Sequence, residues 1–77
     1  MDIGELVLLI TKALDEKPGN ITADTTSDQV ANWDSLGHIQ ILRMLDEQFD
    51  DVTMKSPALA SSTSIKEIHS HLTEAGL

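Results

Sequence analysis

Two stretches of this chain carry side chains of types that could do chemistry. The first is Asp34-Ser35-Leu36-Gly37-His38, a hydroxyl next to a carboxylate and three residues before an imidazole. A serine nucleophile with a histidine base also needs an orienting third member and an oxyanion hole. A nucleophile elbow would read G-x-S-x-G on a strand-to-helix turn, whereas here Trp33 takes the first position and only Gly37 fits. Ser35 and His38 therefore make a poor hydrolase, and His38 is expected to pack against the preceding loop as a half-buried ring. The second stretch holds His69 and His71 with Glu67 and Glu74. Residues two apart on a helix point in different directions, so no metal site is expected there.

What distinguishes Ser35 is its position. Asp34 is a good N-cap, which makes Ser35 the first residue of a helix. A first helical turn offers unpaired backbone N–H groups and the positive end of the macrodipole. A phosphate attached to the hydroxyl would meet donors already aimed at it. Asp34 can cap the helix or help orient a metal-bound reagent during attachment, and Leu36 and Met44 would supply apolar surface nearby. This environment suits a tethered group better than a hydroxyl nucleophile. The plainer reading is an ordinary first-turn serine with no further duty.

The elements that must position Ser35 follow from hydrophobic spacing. Ile3, Leu6, Val7, Ile10, Ala13 and Leu14 recur at helical intervals, with Asp2 to cap and Pro18-Gly19 to stop, predicting a helix over roughly 3 to 16. A long polar connection, 17 to 34, follows. Loops of that length in small domains tend to be functional or disordered, but Ile21, Val30 and Trp33 look like anchors that keep this one ordered. The segment 35 to 49 is the most strongly patterned: Ile39, Leu42, Leu45 and Phe49 fall on one stripe with Ile41 at its edge. Leu36, Gln40, Met44 and Glu47 fall on the opposite side. Ser56-Pro57 offers a cap and first-turn proline for a short third helix. Ser64 and Glu67 read as a capping box for a last helix over roughly 65 to 75, with Ile65, Ile68 and Leu72 as its stripe. No segment alternates with period two, so no sheet is expected. The weak third helix makes 52 to 63 the expected least-protected region, and the loop from Val52 to Pro57 a natural moving part.

Bulk properties limit what such a chain can be. Seventy-seven residues make one domain, 1–77, without cysteine and with a small core. Five Lys and Arg against thirteen Asp and Glu give a net charge of −8, which excludes a basic nucleic-acid surface and docking on anionic lipid. Partners with basic patches are expected instead. The N-terminus lacks the positive flank of a signal peptide, and Asn20-Ile21-Thr22 reads as a chance sequon. The expectation is a cytoplasmic monomer with no membrane insertion.

With "DSL" opening the second helix of a small, acidic, cysteine-free helical domain, the chain resembles the acyl carrier protein family. The wider stretch "NWDSLGHIQILRMLDEQF" fits that family's pattern of an anchoring aromatic, Asp-Ser-Leu, and an apolar-periodic helix ending in acids and a phenylalanine. The resemblance covers essentially the whole chain. It implies an all-α, small four-helix bundle of acyl-carrier-protein type, with a long first loop and a short third helix. It also implies that Ser35 carries 4′-phosphopantetheine, added from coenzyme A by a phosphopantetheinyl transferase with magnesium, beside Asp34 and Leu36. Acyl intermediates would ride as thioesters on the arm's thiol, and the chain itself would catalyse nothing. Leu36, Gln40, Met44, Asp46 and Glu47 would form the face that docks acyl-loading and acyl-processing enzymes of fatty acid, modified lipid or polyketide biosynthesis. A partly open bundle interior could shelter the chain. Gly37 and Gln40 stand where the family commonly has acids, and Arg43 adds a positive charge, so a specialised carrier is at least as well indicated as a housekeeping one. The alternatives are an aminoacyl or peptidyl carrier, and an unmodified protein-interaction module on the same fold.

Overall fold

The computed structural model describes residues 1–77. Four α-helices, α1 (Ile3–Ala13), α2 (Ser35–Phe49), α3 (Val52–Lys55) and α4 (Ile65–Glu74), pack into a small bundle without strands. The one isolated bridge joins Thr26 to Ser64. Two 3₁₀ turns, Ser27–Gln29 and Pro57–Ser61, fill the connections. No helix is long and apolar enough to cross a membrane.

Helix α1 stops earlier than its periodicity suggests. Asp15 enters the left-handed region at φ 54°. The Glu16 N–H then reaches the Thr11 carbonyl at 3.0 Å, and the Asp15 N–H reaches that of Lys12 at 3.1 Å. This is a Schellman closure with aspartate in the place glycine usually takes. The helix is finished before Pro18-Gly19 can stop it, which corrects the expected end near residue 16.

The second correction concerns the short helix. The chain leaves α2 through two consecutive left-handed residues, Asp50 at φ 55° and Asp51 at φ 60°, and immediately forms α3. The segment expected as a loop from Val52 is thus helical, while Pro57 opens a 3₁₀ turn rather than the third α-helix. Ser56 gives that turn no side-chain cap. At the last helix Ser64 Oγ accepts from the Glu67 N–H at 3.1 Å as expected, but the Glu67 carboxylate takes the Thr63 and Ser64 hydroxyls instead of closing a reciprocal box.

Thirteen apolar residues form a continuous buried cluster drawn from every α-helix and from both connections. Ile21, Val30 and Trp33 belong to it, so the long first connection is pinned as its spacing indicated. On α2 the buried face runs along Gly37, Ile41 and Leu45, four residues apart. Relative to the expected stripe, the helix is turned. Ile41 moves from the edge to the centre, Ile39 is 50% exposed, and Met44 is half-buried against the core rather than outward-facing.

Gly37 explains the turn. A Cβ there would lie 1.9 Å from the Asn32 carbonyl oxygen and 3.0 Å from Leu14 Cδ2. The absent side chain lets the first connection lie directly on α2, and that contact draws the 37–41–45 line inward. Apolar periodicity counts large side chains and cannot register a contact made by the lack of one.

Candidate functional site

The N-terminus of α2 is built by the residues just before it. Asp34 has extended backbone geometry, and its Oδ1 accepts from the Gly37 N–H at 2.8 Å. Its carbonyl accepts from the His38 N–H at 2.8 Å. Upstream, Asn32 Nδ2 donates to Glu16 Oε2 at 2.5 Å and to the Leu14 carbonyl at 3.4 Å, tying the loop to the end of α1. The cap, the tie and the close approach at Gly37 fix where α2 begins. Ser35 is its first residue, is exposed, and makes no side-chain hydrogen bond to the protein.

Beside Ser35 runs an open groove of about 510 Å³. Trp33, Asp34, His38, Ile39 and Leu42 form one side of it, and Ala60, Ser61, Ser62 and Thr63 the other. A separate groove of about 340 Å³ on the other side of the capping residue is lined by Leu36, Gly37 and Gln40 together with the end of α1.

His38 spans the first groove. Trp33 Nε1–H donates to its Nδ1 at 3.0 Å, with the ring planes within 10° of each other. On the other edge of the ring, Nε2 meets the Leu59 carbonyl at 2.9 Å. An indole N–H only donates and a carbonyl only accepts, so the imidazole is the neutral tautomer with its proton on Nε2. Both nitrogens are engaged and neither serves Ser35. The expected half-buried ring is found, with a second partner that sequence spacing could not supply.

The expected docking residues divide. Leu36 is 67% exposed, and Gln40 and Glu47 are exposed with it. Met44 packs inward, as described above. The Asp46 carboxylate, half-buried, is taken up by α3: Oδ1 accepts from the Thr53 N–H at 2.9 Å and Oδ2 from its hydroxyl at 2.8 Å. Asp46 thereby caps α3, a use hidden in the sequence because α3 itself was hidden. Ile39, missed by the sequence reading, joins Leu36 on the exposed side. Gly37, where an acid would have been informative, faces inward and has no room for any side chain. Its lack of charge is enforced by packing.

The other histidines separate. His69 Nε2 meets the Met1 carbonyl at 2.8 Å, and His71 lies 3.8 Å from Glu74. Away from the groove, Lys66 and Asp24 form an exposed ion pair at 2.8 Å that links α4 to the first connection. Lys66, by hydrogen bonding first and charge second, holds the Asp24 carboxyl below its usual range, and Asp24 raises Lys66 in turn. Comparison with family models, curated proteins and solved structures finds no match to this chain.

Proposed function

We propose that the chain is an acyl carrier protein whose Ser35 takes 4′-phosphopantetheine from coenzyme A. The observation that carries this reading is the serine itself: an exposed hydroxyl with no intramolecular partner, on the first residue of a rigidly started helix, at the edge of an open groove. Such a hydroxyl is reachable by a modifying enzyme, and a phosphodiester formed on it would lie at the positive end of α2. The residues present fit the group. Ser35 would form the bond, the free first-turn N–H groups would face its phosphate, and the adjoining groove would receive the arm. Asp34 serves chiefly as the cap that fixes this geometry. When bound, the arm supplies the thiol that a cysteine-free chain lacks, as the site of thioester linkage.

His38 supports a carrier over a hydrolase, because its one lone pair is spent on Trp33. Leu36 and Ile39, exposed next to Ser35 on α2, with Gln40, Arg43 and Glu47 further along, give partner enzymes a mixed apolar and polar surface. Fatty acid, modified lipid, polyketide and aminoacyl pathways all use such a carrier.

The test is modification. The protein is incubated with coenzyme A, magnesium and a broad-specificity phosphopantetheinyl transferase, and its intact mass is read beside that of Ser35→Ala. A gain of one phosphopantetheine in the first and none in the second is expected. No gain with several transferases, on folded and initially unmodified protein, would sink the proposal and leave an interaction module on this fold.

A further inference from the structure

The groove beside Ser35 has a polar wall and a hydrogen-bonded clasp at its side, and together these bear on what the arm carries. Ser61 and Ser62 both donate their hydroxyl protons to the Ala58 carbonyl, at 3.2 and 3.0 Å. What they retain for the groove is lone pairs. Ser27 and Thr63 also line it, joined by a backbone hydrogen bond of 2.7 Å from the Ser27 N–H to the Thr63 carbonyl. A hydroxyl hydrogen-bonds whatever ligand donor reaches it, whereas an alkyl chain leaves it unpaired at a cost.

Trp33 and His38, which line the groove, belong to a Trp33–His38–Leu59 clasp. It joins the first connection, α2 and the Pro57–Ser61 turn, with Trp33 buried and Leu59 fully so. Ile41, Leu45, Ile65 and Ile68 are also fully buried, and none of them lines the groove. A long alkyl chain entering the bundle from Ser35 would have to part α2 from the 57–61 turn. That breaks the His38–Leu59 hydrogen bond and leaves the ring N–H and the carbonyl without each other. A groove of about 510 Å³ lies in the range that holds one small ligand.

We infer that this carrier serves short acyl groups bearing hydroxyl or amino donors, kept in the surface groove, and that the Trp33–His38–Leu59 clasp bars long alkyl chains from the interior. The inference rests on the carrier reading and specifies its cargo. His38 acts here as a positioning residue, holding the two walls together without touching the thioester.

The experiment loads Ser35 with a broad transferase from 3-hydroxybutyryl-coenzyme A and, separately, from octanoyl-coenzyme A. Intact mass verifies each product, and ¹H–¹⁵N spectra are compared with the unacylated phosphopantetheine form. Trp33 is the sole tryptophan, so the clasp has one unambiguous indole N–H resonance. The hydroxybutyryl form should shift the amides of Ser61, Ser62 and Thr63. The octanoyl form should leave the Trp33 indole and the Ile41, Leu59 and Ile68 amides where they were. In His38→Ala, octanoyl loading should move those core amides, and if that variant does not fold, the unsubstituted protein decides alone. Octanoyl displacing the indole and core amides of the unsubstituted protein would overturn the inference, as would a hydroxybutyryl group that leaves residues 61 to 63 unmoved. Failure to load is read separately, by mass: no gain from coenzyme A itself with several transferases would remove the carrier reading together with this one.

Discussion

The two connections that flank α2 share the His38 ring, which takes Trp33 of the first and Leu59 of the second, but otherwise hold the helix by different means. The first, residues 14 to 34, presses its backbone onto the helix: the Asn32 carbonyl occupies the space a side chain at Gly37 would need. The second, residues 50 to 64, is fastened by side chains, with Asp46 gripping Thr53 and His38 gripping the Leu59 carbonyl. A backbone contact against glycine has no rotamer by which to give way. Side-chain hydrogen bonds can be removed one at a time by substitution. The same helix therefore has a wall set by backbone contact under the start that presents Ser35 and, across the groove, a wall whose hold depends on named side chains.

The comparison breaks most sharply at Gly37. Replacing an interior helical glycine with alanine ordinarily stabilises by up to about 1 kcal/mol. Here the clash with fixed backbone should outweigh that gain, and Gly37→Ala should lose about 3 kcal/mol, the upper range for overpacking. Urea unfolding would measure it, and a more stable variant would show that the first wall is as yielding as the second. Asp46→Ala removes the α3 cap and should cost about 1 kcal/mol in the same assay, a typical value for a lost cap. If Asp46 is mainly structural, this variant should still be modified at Ser35 at close to the original rate.

Amide hydrogen exchange sharpens the contrast without a mutation. Residues 52 to 63 should exchange faster than the centre of α2, because they open by releasing few hydrogen bonds. Protection there equal to that of α2 would erase the distinction between the walls.

The smallest expected effect is at the Asp24–Lys66 pair. Asp24 is held below its usual range, so its contribution to stability is present above the ordinary carboxylate pKa and is lost as pH falls through the depressed one. Lys66 is raised, so its contribution is present below the ordinary lysine value and is lost as pH climbs through the raised one. Both side chains are largely exposed, at 69% for Lys66 and 80% for Asp24, so salt screens them. Thermal melts of Asp24→Asn should match the unsubstituted protein in high salt and differ slightly in low salt near neutral pH.

Local patterning alone determined the all-helical class, the limits of α2, the caps at Asp34 and Ser64, and the anchoring of the first connection by Ile21, Val30 and Trp33. These are legible because helix period, cap chemistry and isolated apolar residues in polar stretches act over a few residues. Ser35 was legible as a candidate for the same reason, since being first in a helix is a local property. The tertiary structure alone decided which way α2 faces, since the contact that turns it joins Gly37 to a loop carbonyl and no side chain at 37 announces it. It also decided that Asp46 caps α3, and that His38 bridges Trp33 to a carbonyl twenty-one residues away. Those are pairings between elements whose relative placement only the packed core sets, and a one-dimensional pattern holds no term for them.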